Sequence, residues 1–282
     1  DLLQILIPLA ALPEQRAIVA KIEELFYELD KGVADLKKAQ DQLKVYRQAV
    51  LKKAFEGGLT NVNMIVKKLS DECEIIMGQS PPGSSYNQEG IGTPLINGPV
   101  EFGEGALGKT VKSKWTTEPT KLCKKGDLIL CVRGSTTGKT NIADFEACVG
   151  RGVAAIRFDS NQEYLNSYML FKRYEIFAKG TGTTFPSVSS KELREFDFPV
   201  CSQEQQHQIV EEIESRLSVC ESIEESIRES LDKSKALRQS VLKKSFEGTL
   251  LSEEEIAACK AASDYEPASV LLEKIKAEKK KS

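Results

Sequence analysis

The sequence predicts an α+β protein: one globular α+β domain at the end of a long antiparallel two-helix coiled coil. Three observations carry this. A block of about fifty residues occurs twice. Each copy keeps a helical apolar period over about 40 residues, and the stretch between the copies loses that period and turns to short β-prone runs.

The duplication organises everything else. RQAVLKKAFEGGL, residues 47–59, recurs as RQSVLKKSFEGTL, residues 238–250. Upstream and without a gap, EQRAIVAKIE (14–23) faces QQHQIVEEIE (205–214). The offset is constant at about 190 residues, too long a period for a solenoid. The order is repeat, insert, repeat, tail, divided as 1–60, 61–197, 198–251 and 252–282.

In the first copy Ile22, Leu29, Leu36, Leu43 and Val50 recur every seven residues. Ile18, Leu25, Ala39 and Tyr46 form a second row, interrupted at Gly32. That is the a/d seam of a coiled coil. The second copy is looser: Ile209, Ile213, Leu217, Cys220, Ile223, Ile227, Leu231, Leu237 and Val241, with Ser230 and Ser234 inside it. A helix of about 40 residues is about 60 Å long. Gly57 and Gly248 follow the last apolar positions as helix stops. One helix enters the insert and the other leaves it, which predicts an antiparallel pair. A hairpin with a packing role alone is the plainer alternative.

The insert, residues 62–197, is rich in glycine and proline. Strands are expected at 93–96, 127–132 and 153–158, with turns at Ser80-Pro81-Pro82-Gly83 and Lys125-Gly126-Asp127. Residues 164–178 read as a helix with Leu165, Tyr168, Met169, Phe171 and Phe177 as candidate core. Ser189 and Glu192 form a capping box for a short helix. The tail ends in an amphipathic helix, residues 268–281, carrying Val270, Leu271, Leu272 and Ile275. It is either a frayed terminus or a partner dock.

Composition excludes several functions. The formal net charge is −3, so a nucleic-acid binder must concentrate its cations locally. Seven cysteines without a CxxC pair, in an odd total, read as reduced thiols of a cytoplasmic protein. One histidine, His207, makes a structural zinc site or a His-based triad a poor fit. No run of about 18 apolar residues spans a membrane. The missing initial methionine reads as a piece of something longer. Gly134-Ser-Thr-Thr-Gly138-Lys139-Thr140 imitates a phosphate-binding P-loop but has three residues between its glycines where four are required. With no methyl-donor or metal motif, neither a cofactor nor catalysis is expected.

Three loops of the insert have the chemistry to read DNA. GQSPPGSSYN, residues 78–87, offers Gln79, Ser80, Ser84, Tyr86 and Asn87 on a stiff turn. The next loop offers Arg133, Ser135, Thr136, Thr137 and Lys139, and the third Lys179, Thr181, Thr183, Thr184 and Ser187. Gln and Asn pair with adenine edges, Arg forks onto guanine, hydroxyls bond base edges or phosphate, and turn amides can cradle phosphate. Lys109, Lys112, Lys114, Arg151 and Lys172 are candidate phosphate contacts. Ordinary surface turns would have the same composition.

GQSPPGSSYNQEGIGTPLINGPVEFG (78–103), KGDLILCVRGSTTGKTNIA (125–143) and VGRGVAAIR (149–157) resemble the target-recognition domains of type I restriction-modification specificity subunits. FPVCSQEQQHQIVEEIE and the two RQ-VLKK-FEG blocks look like that family's conserved helical regions. The resemblance implies a non-catalytic subunit that recognises double-stranded DNA. It implies docking to two adenine methyltransferase (modification) subunits and indirectly to restriction subunits, with no membrane role. It further implies the second half of such a subunit: central helix, second recognition domain, distal helix and tail, reading one half of a bipartite site. Lys52, Lys53, Lys243 and Lys244 are the candidate partner contacts. The rival readings are a half-size subunit that homodimerises on a palindromic split site, the recognition part of a single-chain methyltransferase-nuclease, and a structural adaptor.

Overall fold

The computed structural model describes residues 7–60, 62–179 and 187–279. In chain order the helices and first strands are α1 (Leu12–Phe55), β1 (Ile65–Lys68), α2 (Leu69–Glu72), β2 (Glu74–Met77), β3 (Tyr86–Asn87) and β4 (Thr93–Ile96). Then come β5 (Trp115–Thr116), β6 (Leu122–Cys123), β7 (Leu128–Cys131), β8 (Thr140–Ile142), β9 (Ala147–Val149) and β10 (Val153–Arg157). The chain continues through α3 (Gln162–Phe171), α4 (Arg173–Lys179), α5 (Ser190–Arg194), β11 (Asp197–Val200), α6 (Gln203–Phe246), α7 (Glu253–Lys260) and α8 (Ala268–Lys279). Two compact units result: Asp1–Val45 with Val219–Ser282, and Tyr46–Ser218.

The two repeats are the helices α1 and α6, each 44 residues long. Both close on a left-handed glycine, Gly57 at φ 76° and Gly248 at φ 71°, a conformation that a side chain would strain.

In the first unit, contacts step backwards along α1 as the chain advances. Arg238 pairs with Asp30 and lays its guanidinium 4.4 Å from the Phe26 ring. Glu255 then meets Lys21 at 3.4 Å, and Asp264 meets Arg16. The Cys259 thiol sits 3.7 Å from the Pro13 carbonyl. The direction is therefore antiparallel, and α7 returns along the start of α1.

Burial along α1 keeps Ile22, Leu29, Leu36 and Leu43 half-buried, as the heptad predicts. The second row differs from the sequence reading. Phe26, Val33 and Gln40 line it, while Gly32 is exposed. On α6 the covered positions alternate by three and four: Cys220, Glu224, Ile227, Leu231, Ser234, Arg238, Val241 and Ser245. Ile223 and Leu237 fall one residue off that stripe, about 100° around the helix, and are exposed. Period outranks hydrophobicity here, because a stripe fixed by Ile227, Leu231 and Val241 carries its polar members inward with it.

The second unit holds a four-stranded antiparallel sheet, β2-β10-β7-β8, and a five-stranded sheet, β3-β5-β4-β9-β6, in which β4 and β9 are parallel. A separate ribbon pairs β1 with β11. β7 is apolar throughout because both of its faces are buried. Leu128 and Leu130 face a core with Phe158, Tyr164, Leu165 and Phe198, while Ile129 and Cys131 face a second core with Ile96, Val149 and Ala155.

The larger core also takes the end of α1 and the start of α6: Leu51, Ala54, Phe55, Ile209, Val210 and Ile213. Phe55 lies 5.3 Å from Tyr164, 5.1 Å from Tyr168 and 5.9 Å from Phe171, ring centre to ring centre. The two phenols are buried yet bonded, Tyr164 donating to the Pro199 carbonyl at 2.9 Å and Tyr168 to that of Asp197 at 2.6 Å.

The strands expected at 93–96, 127–132 and 153–158 are present as β4, β7 and β10, and Ser189 with Glu192 caps α5. The helix expected over 164–178 breaks at Lys172, whose ψ of 1° ends α3. The restart turns the next face, so Ile176 enters the core and Phe177 is exposed. All seven cysteines are free. Among the described residues no helix is long and apolar enough to cross a membrane, and no cluster could hold a metal ion.

Candidate nucleic-acid interface

One end of the four-stranded sheet gathers the ends of β2 and β7 and the starts of β10 and β8, since Met77 faces Ala154 and Cys131 faces Val153. Backbone bonds then tie the connecting loops together. Gly78 donates to Val153 at 3.0 Å and Gln79 to Val149 at 2.9 Å. Val132 donates to Gly152 at 3.0 Å and Val188 to Val132 at 2.9 Å, and Arg133 bridges Ser187. The approach is so close that a Cβ on Gly78 would lie 2.1 Å from the Gly150 carbonyl oxygen. Glycine is required there by contact, not by φ.

This juxtaposition brings Gln79, Ser80, Arg133, Ser135, Lys139, Arg151 and Ser187 onto one surface. Gln79, Arg133, Ser135, Lys139 and Arg151 are exposed. Among the described residues no carboxylate pairs with Arg133, Lys139 or Arg151. Other candidate cations are engaged: Lys109 with Asp144 at 3.7 Å, Lys172 with Glu175 at 2.6 Å, Lys112 over Phe145 and Lys114 over Tyr86. Surface pairs of this kind are weak, so this ranks the cations without excluding any. The opposite end of the sheet is acidic. There Asp127 takes two 2.7 Å bonds from Arg157, which also meets Glu74. The Asp127 bond holds the Arg157 pKa above its usual value.

Several expected readers are spent on their own loops. The Asn87 amide pins a turn, donating to the Ile91 carbonyl at 2.8 Å and accepting from its N–H at 3.0 Å. The Tyr86 hydroxyl donates to Pro81 at 3.2 Å, and the Ser80 hydroxyl accepts from the Arg151 N–H at 3.3 Å. Thr137 is buried and donates to the Gly134 carbonyl at 2.8 Å. The Thr136 hydroxyl bonds the Cys131 thiol. Ser84 is exposed in the turn before β3. Lys179 ends α4, and Thr181, Thr183 and Thr184 lie outside the described residues.

The P-loop imitation resolves as an antiparallel turn from β7 to β8, with no helix after it. Its amides are used internally: Thr137 to Gly134, Gly138 to Cys131 and Lys139 to Thr136. They are not free to cradle a phosphate, which corrects that expectation. Sequence reasoning also passed over Arg173 and Phe102, which with Lys139 line an open pocket of about 390 Å³. It passed over Asn97 too, whose Oδ1 is buried with no hydrogen-bond partner. In the sequence its only signal is the turn-forming Asn97-Gly98 pair.

Lys52, Lys53, Lys243 and Lys244 are exposed on the two repeats. Lys52 faces Glu56 at 3.9 Å and Lys243 faces Glu247 at 3.8 Å, the same pair in each copy.

Residues 61–233 match the family described as the type I restriction modification DNA specificity domain. The chain is 29% identical over 249 residues to the putative type I restriction enzyme MjaX specificity subunit of Methanocaldococcus jannaschii, covering 81% of this chain and 56% of that one. It is 28% identical over 311 residues to the EcoBI specificity subunit of Escherichia coli, covering 97% and 64%. Among solved structures it is similar to the HsdS subunit of Thermoanaerobacter tengcongensis, with TM-score 0.62 and 30% identity over 84% of this chain and 59% of that one. It is also similar to a chain from a study of assembly and conformational transition in the type I R-M system, with TM-score 0.76 and 31% identity over 84% and 60%. The chain thus spans less than two thirds of the length of these relatives. The matched segment holds both sheets and the loop cluster, and on that ground the chain belongs to the type I restriction-modification DNA specificity family.

Proposed function

We propose that the chain is a non-catalytic DNA-reading part of a type I restriction-modification complex, working in the cytoplasm on one half of a bipartite site. The observation that carries this is the single sheet end on which Gln79, Arg133, Ser135, Lys139 and Arg151 converge without carboxylate partners. Arg133 and Gln79 have the bidentate chemistry for guanine and adenine edges, and Arg151 and Lys139 suit phosphates. Methylation and cleavage belong, in this reading, to the modification and restriction subunits that the chain docks. Helices of 44 residues, about 66 Å long, approach two turns of B-DNA at about 34–36 Å each, a suitable spacer for a split site. The exposed Lys52, Lys53, Lys243 and Lys244 are the candidate dock for modification subunits.

The test is a fluorescence-anisotropy titration against a duplex pool and its selected winners across salt. Arg133→Ala and Gln79→Ala should each weaken the selected duplex by about 1–3 kcal/mol and leave the pool nearly unchanged. Absence of salt-dependent DNA binding by the folded chain would remove the reading. Light scattering of the chain with its cognate methyltransferase tests the dock, and two separate species at micromolar concentration would refute it.

A further inference from the structure

The two repeats are equal in sequence and unequal in what covers them. Phe55 is 8% exposed and its counterpart Phe246 is 63% exposed; for Leu51 and Leu242 the values are 1% and 40%. The helix starts repeat the contrast, with Val210 at 4% and its counterpart Val19 at 53%. So does the strand that precedes each helix. Phe198-Pro199-Val200 in β11 is buried and paired with β1, whereas the matching Ile7-Pro8-Leu9 begins with Ile7 at 76% exposure. Among the described residues no strand pairs with Ile7-Pro8-Leu9.

These uncovered residues are contiguous. Ile7, Leu9, Ile18, Val19, Leu242 and Phe246 line one apolar groove of about 620 Å³ in the first unit. An exposed patch of this kind marks an interaction site. Its shape is known from the covered copy. There the same positions hold the face of α3 that carries Tyr164, Tyr168 and Phe171, together with the edge strand β1.

We propose that this groove is a socket for a second recognition module of the same kind as residues 62–197. The module would seat a tyrosine-bearing helix between Val19 and Phe246 and add its edge strand to Ile7-Pro8-Leu9. The carbonyl of Pro8 would take the phenol that Pro199 takes from Tyr164 in the covered copy. The groove repeats an interface already present in the chain, which is why a module, and not an arbitrary apolar partner, is the occupant. Ser245 stands where the covered copy has Ala54, the one added polar atom at the centre of the socket.

The chain can test its own socket. A second copy of residues 62–197 is joined ahead of Ile7, so that Asp197 leads into Ile7-Pro8-Leu9 as it leads into Phe198-Pro199-Val200. Amide exchange at 7–22 and 242–248 should slow at least tenfold relative to the chain alone. Phe246→Asp should restore fast exchange there in the tandem protein, and leave exchange in β7 and β10 of the single-module chain unchanged. Unchanged exchange at the groove with both modules folded would overturn the proposal. So would an added module that stays unfolded while its identical copy folds, because the socket is claimed to offer the same contacts. Self-association of the single-module chain, lost on Phe246→Asp, would place a second whole chain in the groove and overturn it as well. No arm uses DNA, so failure of the DNA-reading proposal leaves a separate signature.

Discussion

Replacing each repeat phenylalanine by alanine should separate the two copies by about 3–4 kcal/mol. Phe55 is almost fully covered, within 6 Å of the rings of Tyr164, Tyr168 and Phe171. A buried phenyl removes about 150 Å² or more from water, worth about 4 kcal/mol at ~25 cal/mol per Å². Edge-to-face contacts add ~0.5–1.5 kcal/mol and the methyl retained by alanine subtracts, so Phe55→Ala should cost about 3–5 kcal/mol. Phe246, 63% exposed, has no comparable contact to lose, and Phe246→Ala should cost about 0.5 kcal/mol or less. The sole tryptophan, Trp115 in β5, lies in the same unit as Phe55 and reports its unfolding by fluorescence. At a urea slope of about 2 kcal/mol per M, a loss of 4 kcal/mol moves the midpoint by about 2 M. Two substitutions with midpoints within 0.5 M of each other, on this ~2 M scale, would refute the unequal burial from which the socket is argued.

Asp127→Ala should destabilise the same unit by about 3 kcal/mol, because Asp127 is 2% exposed and its loss strands the Arg157 guanidinium; a urea shift under ~0.5 M would contradict this. Arg151→Ala should weaken all duplexes alike and lower the salt slope by about 1, whereas a change confined to one sequence would make Arg151 a base reader. Burial pushes the Cys73 thiol up to about 12 and those of Cys123 and Cys131 up to about 11, so a thiol reagent at pH 8 should label them only on unfolding. Their folded values lie above the ordinary 9.0, so this contribution to stability is full below about pH 9 and is lost as pH rises toward 11–12. A midpoint that rises over that range would contradict the sign.

What the sequence disclosed and what it withheld divide along physical lines. A heptad or a run such as 128–132 is legible because period and burial are local to one element. The break at Lys172 is not, since no proline or glycine marks it and the turn is held by where Ile176 must go. The polar members of the helix stripe, Gln40, Glu224 and Arg238, were equally hidden. They are covered because of their register and not their chemistry. The loops show a different limit. Serine, threonine and asparagine were chosen as readers for their hydrogen-bonding capacity, and that same capacity builds turns. Asn87 and Thr137 are consumed in this way. Gln79 and Arg133 have side chains too long to close on their own turns, and they remain exposed.

The duplicated block sets the sharpest limit. Residues 47–59 and 238–250 share the spacing, the apolar face and the terminal glycine, and even the Lys–Glu pairs Lys52–Glu56 and Lys243–Glu247. A reading by likeness makes them two equal surfaces for two equal partners. Their surroundings make them unequal: one closes the core of a recognition module through Phe55, and the other opens onto a groove through Phe246. The lysines, exposed in both copies, are the part that remains equivalent. A partner that binds both repeats alike must therefore grip the polar face that carries them. The apolar face is reserved for the modules, so the two surfaces can be occupied at once.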